Sequence, residues 1–406
     1  MSYSKRAVFL GLVTAVVTSL WGCQAAGPMK VPLAITAIPD NTLYVPSSLI
    51  ATGPPGRFHL DEQNPTTTLT LGGIEYIVRA DTAETAEMPT TMPDGSSVSG
   101  RLLLKAKNST QELTVDLMSP DKIANTKPTE LTLENGRKYL LRGWGSSYVA
   151  TDDKTRKQSV HASGFFWTAG VQTGKIGSPT PTPIAIFDSN MDGFYTSDQD
   201  GIIVGSPTAF TVGPEPQKFN LVQPFSKYIS TSNGIFELQN LAKDGSELTA
   251  IPYRGPTASL QVIVPQKLAG QIVLTSSDAN LNVTVSDKGE STTVIPGNYT
   301  ILIAVLGSPP QDSQPQGSVM LISGKEMPAL KLEAGAKQVL TLSGPKVLEF
   351  QAAMVGDKVN IKPDMFHIKG QAGEIYSQVN YDRGKPPKVY LNVDGKSILL
   401  GKMAFG

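Results

Sequence analysis

Cysteine is almost missing from this chain: Cys23 is the only one among 406 residues. No disulfide can form within it, so its stability must come from core burial, which a chain of this length can supply. Histidine is nearly as scarce. His59, His161 and His367 stand alone, with no second His or Cys at ligand spacing, which argues against zinc. Charged residues are 17%, below the roughly 25% of average globular chains. Lys plus Arg equals Asp plus Glu at 35 each, so there is no electrostatic footprint for nucleic acid. After Cys23 no apolar run is long enough to span a bilayer. Sustained 3.6-residue periodicity is lacking, as is a Gly-x-Ser-x-Gly elbow. Gly395-Lys396-Ser397 matches the end of a Walker A loop, but Tyr390 stands where its first Gly is required.

What is abundant points to β structure. There are 38 Gly and 30 Pro, and Ser, Thr, Gln and Asn fill the space left by charge. This mix suits many short strands joined by turns. The predicted fold class is all-β: several consecutive antiparallel β-sandwich-like modules joined by Pro/Gly-rich linkers.

The N-terminus carries an export signal. Ser4-Lys5-Arg6 precedes an apolar run from Ala7 to Val17, which ends in Leu20-Trp21-Gly22-Cys23. Leu20, Gly22 and Cys23 resemble the lipobox of bacterial lipoproteins; Trp21 departs from it. The resemblance implies that residues 1–22 are removed and Cys23 is acylated, holding the protein at the cell envelope by its lipid. Gln24, rather than Asp, implies sorting to the outer membrane or cell surface. An ordinary signal-peptidase cut before Ala26 also fits, and would leave the protein freely secreted.

Along the mature chain, residues 23–36 form a Pro- and Ala-containing tether. An N-terminal β domain follows at 37–173. It contains Thr67–Leu71 and Glu75–Arg79 around Gly72-Gly73, Gly100–Lys107 paired with Glu112–Met118, and Leu131–Leu133 paired with Lys138–Arg142. Gly174–Pro183, with alternating Pro, is the best linker candidate. A second β domain, 174–255, holds Ile235–Leu238 and Glu247–Ile251 around Lys243-Asp244-Gly245. In the third, 256–310, Ile295-Pro296-Gly297-Asn298-Tyr299-Thr300 resembles the Pro-Gly-x-Tyr turn of prealbumin-like and carboxypeptidase-regulatory-like modules. That resemblance implies a sandwich of about seven strands with Tyr299 near its core. Ser308–Gln316 is a second linker or loop, and a C-terminal β domain occupies 311–406.

One motif carries chemistry. Asp188-Ser189-Asn190-Met191-Asp192-Gly193 matches the first half of a calcium loop, Asp-x-[Asp/Asn]-x-[Asp/Asn]-Gly. Alternate side chains place oxygens around one point, and Gly193 permits the turn. Phe194 would give its carbonyl, and Thr196 its hydroxyl or a water. Where an EF-hand has Glu, this chain has Gln199, so Asp198 and Asp200 on either side are the candidate closing carboxylates. The flanks, Pro183–Phe187 and Ile202–Val204, read as strands. The motif therefore resembles calcium loops set in β structure, and the expected ion is a structural calcium. A metal-free polar turn suits the same residue types.

The functional expectation is a lipid-anchored, non-enzymatic scaffold or binding module with protein or polysaccharide partners. The alternative is a polysaccharide-active enzyme or carbohydrate-binding accessory protein. It would use carboxylates from separate strands, with Trp144 or Trp167 as a stacking platform.

Overall fold

Turn chemistry sets the strand boundaries, and burial decides which strands meet. The computed structural model describes residues 27–402 apart from 39–41, 47–55, 82–96, 119–127, 134–135, 152–153, 197–199, 207, 213–214, 265–267, 286–287, 308–317, 326, 343–346, 350–351, 357, 362–366 and 381–387. The expected export signal, the acylation candidate Cys23 and the expected linker or loop at 308–316 thus lie outside the described residues. Among those described there is no helix; every regular element is a strand, as composition predicts.

Nine strands between Arg57–Leu60 and Gln158–Thr168 form the N-terminal sheet. The predicted hairpins are present. Thr66–Leu71 pairs antiparallel with Ile74–Ala80, with Leu71 opposite Ile74. Gly72 and Gly73 between them both have positive φ, the conformation a two-residue hairpin turn requires. Arg101–Ala106 pairs with Glu112–Met118, and Thr129–Thr132 with the start of Lys138–Thr151. Period-2 alternation sends Leu60, Leu71, Val78, Leu102, Tyr139 and Phe166 into one core.

The central sheet has seven strands. In its strand Thr182–Phe187, Ile184 and Ile186 pack on one side with Val31, Phe236 and Leu248. Ala185 and Phe187 pack on the other with Ile38, Val171 and Val222. A strand buried on both faces needs a continuous apolar run rather than alternation, and Ile184-Ala185-Ile186-Phe187 supplies one.

The long sheet has twelve strands, running from Met29–Pro32 at one edge to Val347–Glu349 at the other. A three-stranded sheet of Ala258–Ile263, Ser291–Val294 and Lys337–Thr341 packs against it. Leu260, Val262 and Val294 meet Ile272, Val283 and Ile301 in the shared core. Tyr299 is buried there, and its hydroxyl donates to the Ile295 carbonyl at 2.6 Å. Two separate hairpins, Ala352–Val355 with Lys358–Ile361 and Lys388–Val393 with Lys396–Lys402, complete the chain.

Three segments differ from the sequence reading. Within the expected 23–36 tether, Met29–Pro32 pairs with Glu247–Pro252, and Ala34–Ala37 pairs with Gly170–Ile176. The cause is apolar alternation: Val31 and Leu33 are buried in the core between the central and long sheets. The expected linker Gly174–Pro183 is a hairpin instead. Gly170–Ile176 and Thr182–Phe187 pair through Ile176 opposite Thr182, and the prolines punctuate the turn rather than extend a spacer. Third, the boundary expected at 310 is crossed by the sandwich core, which takes Leu340 from Lys337–Thr341 and Leu321 from Ser318–Ser323.

Candidate metal centre

The calcium-type loop joins two neighbouring strands of the central sheet. Thr182–Phe187 delivers Asp188, and Asp200 leads into Gly201–Val204, as the flanking apolar runs predict. Both carboxylates are therefore fixed by strand ends and buried, Asp188 completely.

Each carboxylate holds part of the loop. Asp188 Oδ2 accepts from the Tyr139 hydroxyl at 2.8 Å and the Gly193 N–H at 2.9 Å. Asp200 Oδ1 accepts from the Ser189 N–H at 3.0 Å, and its Oδ2 from the Thr196 N–H at 2.6 Å. Asp192 Oδ1 accepts from the Phe194 N–H at 2.7 Å, and its Oδ2 from the Asn190 amide at 3.0 Å. Among the described residues, Asp188 Oδ1 and Thr196 Oγ1 are buried with no hydrogen-bond partner. An unpartnered buried carboxylate oxygen is strongly unfavourable, and native proteins rarely leave one.

The electrostatics follow from the burial. Loss of solvent pushes the Asp188 carboxyl up to about 7, against the lowering effect of the Tyr139 hydroxyl and the Gly193 N–H. Asp200 rises to about 8, from burial first and the nearby charge of Asp188 second. The Tyr139 hydroxyl is raised well above its ordinary value by the same burial and then by Asp188.

Sequence reasoning named Asp188, Asn190, Asp192, Phe194, Thr196, Asp198 and Asp200. The structure brings Asp188 and Asp200 into electrostatic contact and ties Asn190 to Asp192. Asp198 lies outside the described residues. Phe194 contributes its N–H to Asp192, and its ring lies 4.1 Å from the Lys243 ammonium. Among the described residues no three His, Cys, Asp or Glu side chains are grouped to hold a metal ion. The available donors are all oxygens: the free Asp188 Oδ1, the Asp200 and Asp192 carboxylates, the Asn190 amide, the Thr196 hydroxyl and the Phe194 carbonyl. Such a set fits a hard cation of calcium type and does not fit a thiophilic one.

Sequence reasoning missed Tyr139, Met191 and Tyr195. Tyr139 lies 49 residues before Asp188, and its strand alternation marks it only as a core residue. Met191 and Tyr195 sit between the presumed ligands, where the motif specifies nothing. Met191 is buried in the N-terminal core and Tyr195 in the core between the central and long sheets.

The aromatic platform has a different character. Trp144 packs on Phe165 at 5.4 Å and on Trp167 at 6.2 Å between ring centroids, all three half-buried. A cleft of about 840 Å³ is lined mainly by Ser and Thr from Thr180–Thr182, Ser230–Ser232 and Ser291–Thr293, with Glu290 as its one carboxylate among the described residues. Comparison of the chain with family models, curated proteins and solved structures finds no match.

Proposed function

We propose that this chain is an exported cell-envelope protein, acylated at Cys23, that acts as a non-enzymatic scaffold or binding module with a structural calcium ion in its 188–200 loop. The observation that carries the reading is Asp188 Oδ1, buried where sheets meet and with no hydrogen-bond partner among the described residues. A carboxylate that served hydrolysis would face a cleft and a second carboxylate across it. Asp188 instead faces its own loop and a core tyrosine. A cation there would complete its coordination and offset the charge of Asp200. Membrane association through acyl chains follows from the Leu20–Cys23 signal, and protein or polysaccharide partners suit exposed β edges on a chain of low charge. The polysaccharide-active alternative draws on the half-exposed Trp144 and Trp167; the Ser- and Thr-lined cleft offers it Glu290 as the one carboxylate among the described residues.

Calcium titration of the thermal midpoint tests the ion. At about 100-fold excess over Kd, a ligand specific for the folded state stabilises by about 2.7 kcal/mol, which raises the midpoint by a few degrees. Asp188→Asn, which keeps the shape and removes the charge, is expected to abolish that rise. A midpoint insensitive to millimolar calcium in the unaltered protein overturns the ion site. Mass spectrometry of the mature N-terminus tests the anchor: diacylglyceryl on Cys23 is expected, and an unmodified start at Ala26 overturns it.

A further inference from the structure

The loop does more than close on itself, because its residues reach to opposite sides. Toward the N-terminal sheet, the Asp192 carbonyl accepts from the Gly72 N–H at 2.6 Å, and Asp188 holds the Tyr139 hydroxyl. Met191 is buried in that sheet's core. A Cβ on Gly193 would come within 2.5 Å of the Gly72 nitrogen, so the two backbones are in direct contact. Toward the long sheet, the Tyr195 N–H donates to the Lys243 carbonyl at 2.8 Å. Its ring is buried in the core that Phe236 and Leu248 share.

One covalent crossing between these parts is short. Gln158–Thr168 ends the N-terminal sheet and Gly170–Ile176 begins in the central one, with only Ala169 between them. The chain joins the parts there and also between Thr42–Pro46 of the central sheet and Arg57–Leu60 of the N-terminal one, and residues 188–196 bridge them through non-covalent contacts.

We propose that a divalent cation held by Asp188 and Asp200 acts as a latch between modules, fixing the N-terminal sheet against the central and long sheets. This rests on the reading that the loop takes calcium. The physical link is contiguous. Without the cation, Asp188 Oδ1 is buried with no hydrogen-bond partner among the described residues, and nothing else at that oxygen holds the loop in place. The strand ends at Asp188 and Asp200 are held by the pairing of Phe187 with Gly201, so the relaxation open to the loop lies in residues 189–196, where Asp192 and Tyr195 carry the Gly72 and Lys243 contacts. The cation binds only the closed loop, so it stabilises those contacts by its preference for that state. Coupling of this kind needs a two-state element that both sites bias, and the proposal assigns that role to the loop.

The test is amide hydrogen exchange on the full mature chain, in calcium and in chelator, beside calorimetric titration with calcium alone. The expected result is calcium binding with exchange slowed on the order of tenfold at Gly72 and at Tyr195, both of which donate across the joint. Asp188→Asn is expected to remove the slowing at both. Calcium binding with slowing confined to residues 188–193 and no change at Gly72 overturns the latch while the calcium reading stands. Absence of calcorimetric binding overturns the calcium reading and the latch together. Slowing at Gly72 that persists in Asp188→Asn overturns the assignment of the latch to this loop.

Discussion

Asp188 and Asp200 set the pH response of the metal-free protein. Their carboxyls titrate near 7 and 8 when folded, and near the ordinary 3.8 when unfolded. A raised folded value means the native state keeps protons that the unfolded chain has released. Their contribution is therefore complete below about pH 4 and is lost as pH rises through 7 to 8. For Asp188 alone the effect is on the order of 4 kcal/mol, at about 1.4 kcal/mol per pH decade. Chelated protein is expected to lose stability between about pH 5 and pH 8, measured by denaturant midpoint, and calcium is expected to flatten that slope. Asp61, Asp244 and Asp278 are lowered, by the Asn64 N–H and by the Ser246 and Ser276 hydroxyls respectively, and act only at lower pH. The loop carboxylates were legible in sequence because their spacing is local. Tyr139 was not, since a hydroxyl contributed from another sheet leaves no mark near the motif.

Elements were legible where turn chemistry specifies them and obscured where composition misleads. Gly72-Gly73 and the Lys243-Asp244-Gly245 segment announce their hairpins, and the strands beside them pair as read. Residues 174–183 look like a spacer because their prolines alternate, yet the apolar Ile176 and Ile184 on either side draw the segment into a hairpin. Gly370–Tyr376, whose turn gave no readable purpose in sequence, is closed by its own acid: Glu374 Oε2 accepts from the Ala372 N–H at 2.9 Å. The segment read as tether gives a direct check. Val31 is 2% exposed and lies opposite Leu248. Val31→Ala is expected to cost on the order of 2 kcal/mol in a denaturant melt, where a true tether residue would cost nothing measurable.

At the scale of the whole molecule, stability resides in shared cores rather than in separate beads. The sandwich core draws on residues from Ile235 to Tyr376, so no single stretch of chain encloses it. All-β character was plain from composition. The interleaving was not, because strand order depends on long-range pairing such as that of Met29–Pro32 with Glu247–Pro252. The last hairpin stands apart: among the described residues Lys388–Val393 and Lys396–Lys402 pair only with each other. Tyr390, Ile398 and Leu399 are each about half exposed. Isolated hairpins are marginal in water. Truncation before Lys388 is therefore expected to leave the thermal midpoint unchanged, whereas deletion of Ser318–Ser323 should prevent folding.

The early entry of Met29–Pro32 into the long sheet sets the length of the leash. Under the proposed acylation of Cys23, only residues 24–28 would separate the bilayer from the first strand. Fully extended, five residues reach about 18 Å at most. A body so tethered could not swing freely above the lipid, and the edge formed by Met29–Pro32 would stay turned toward the membrane while the remaining surface faced outward.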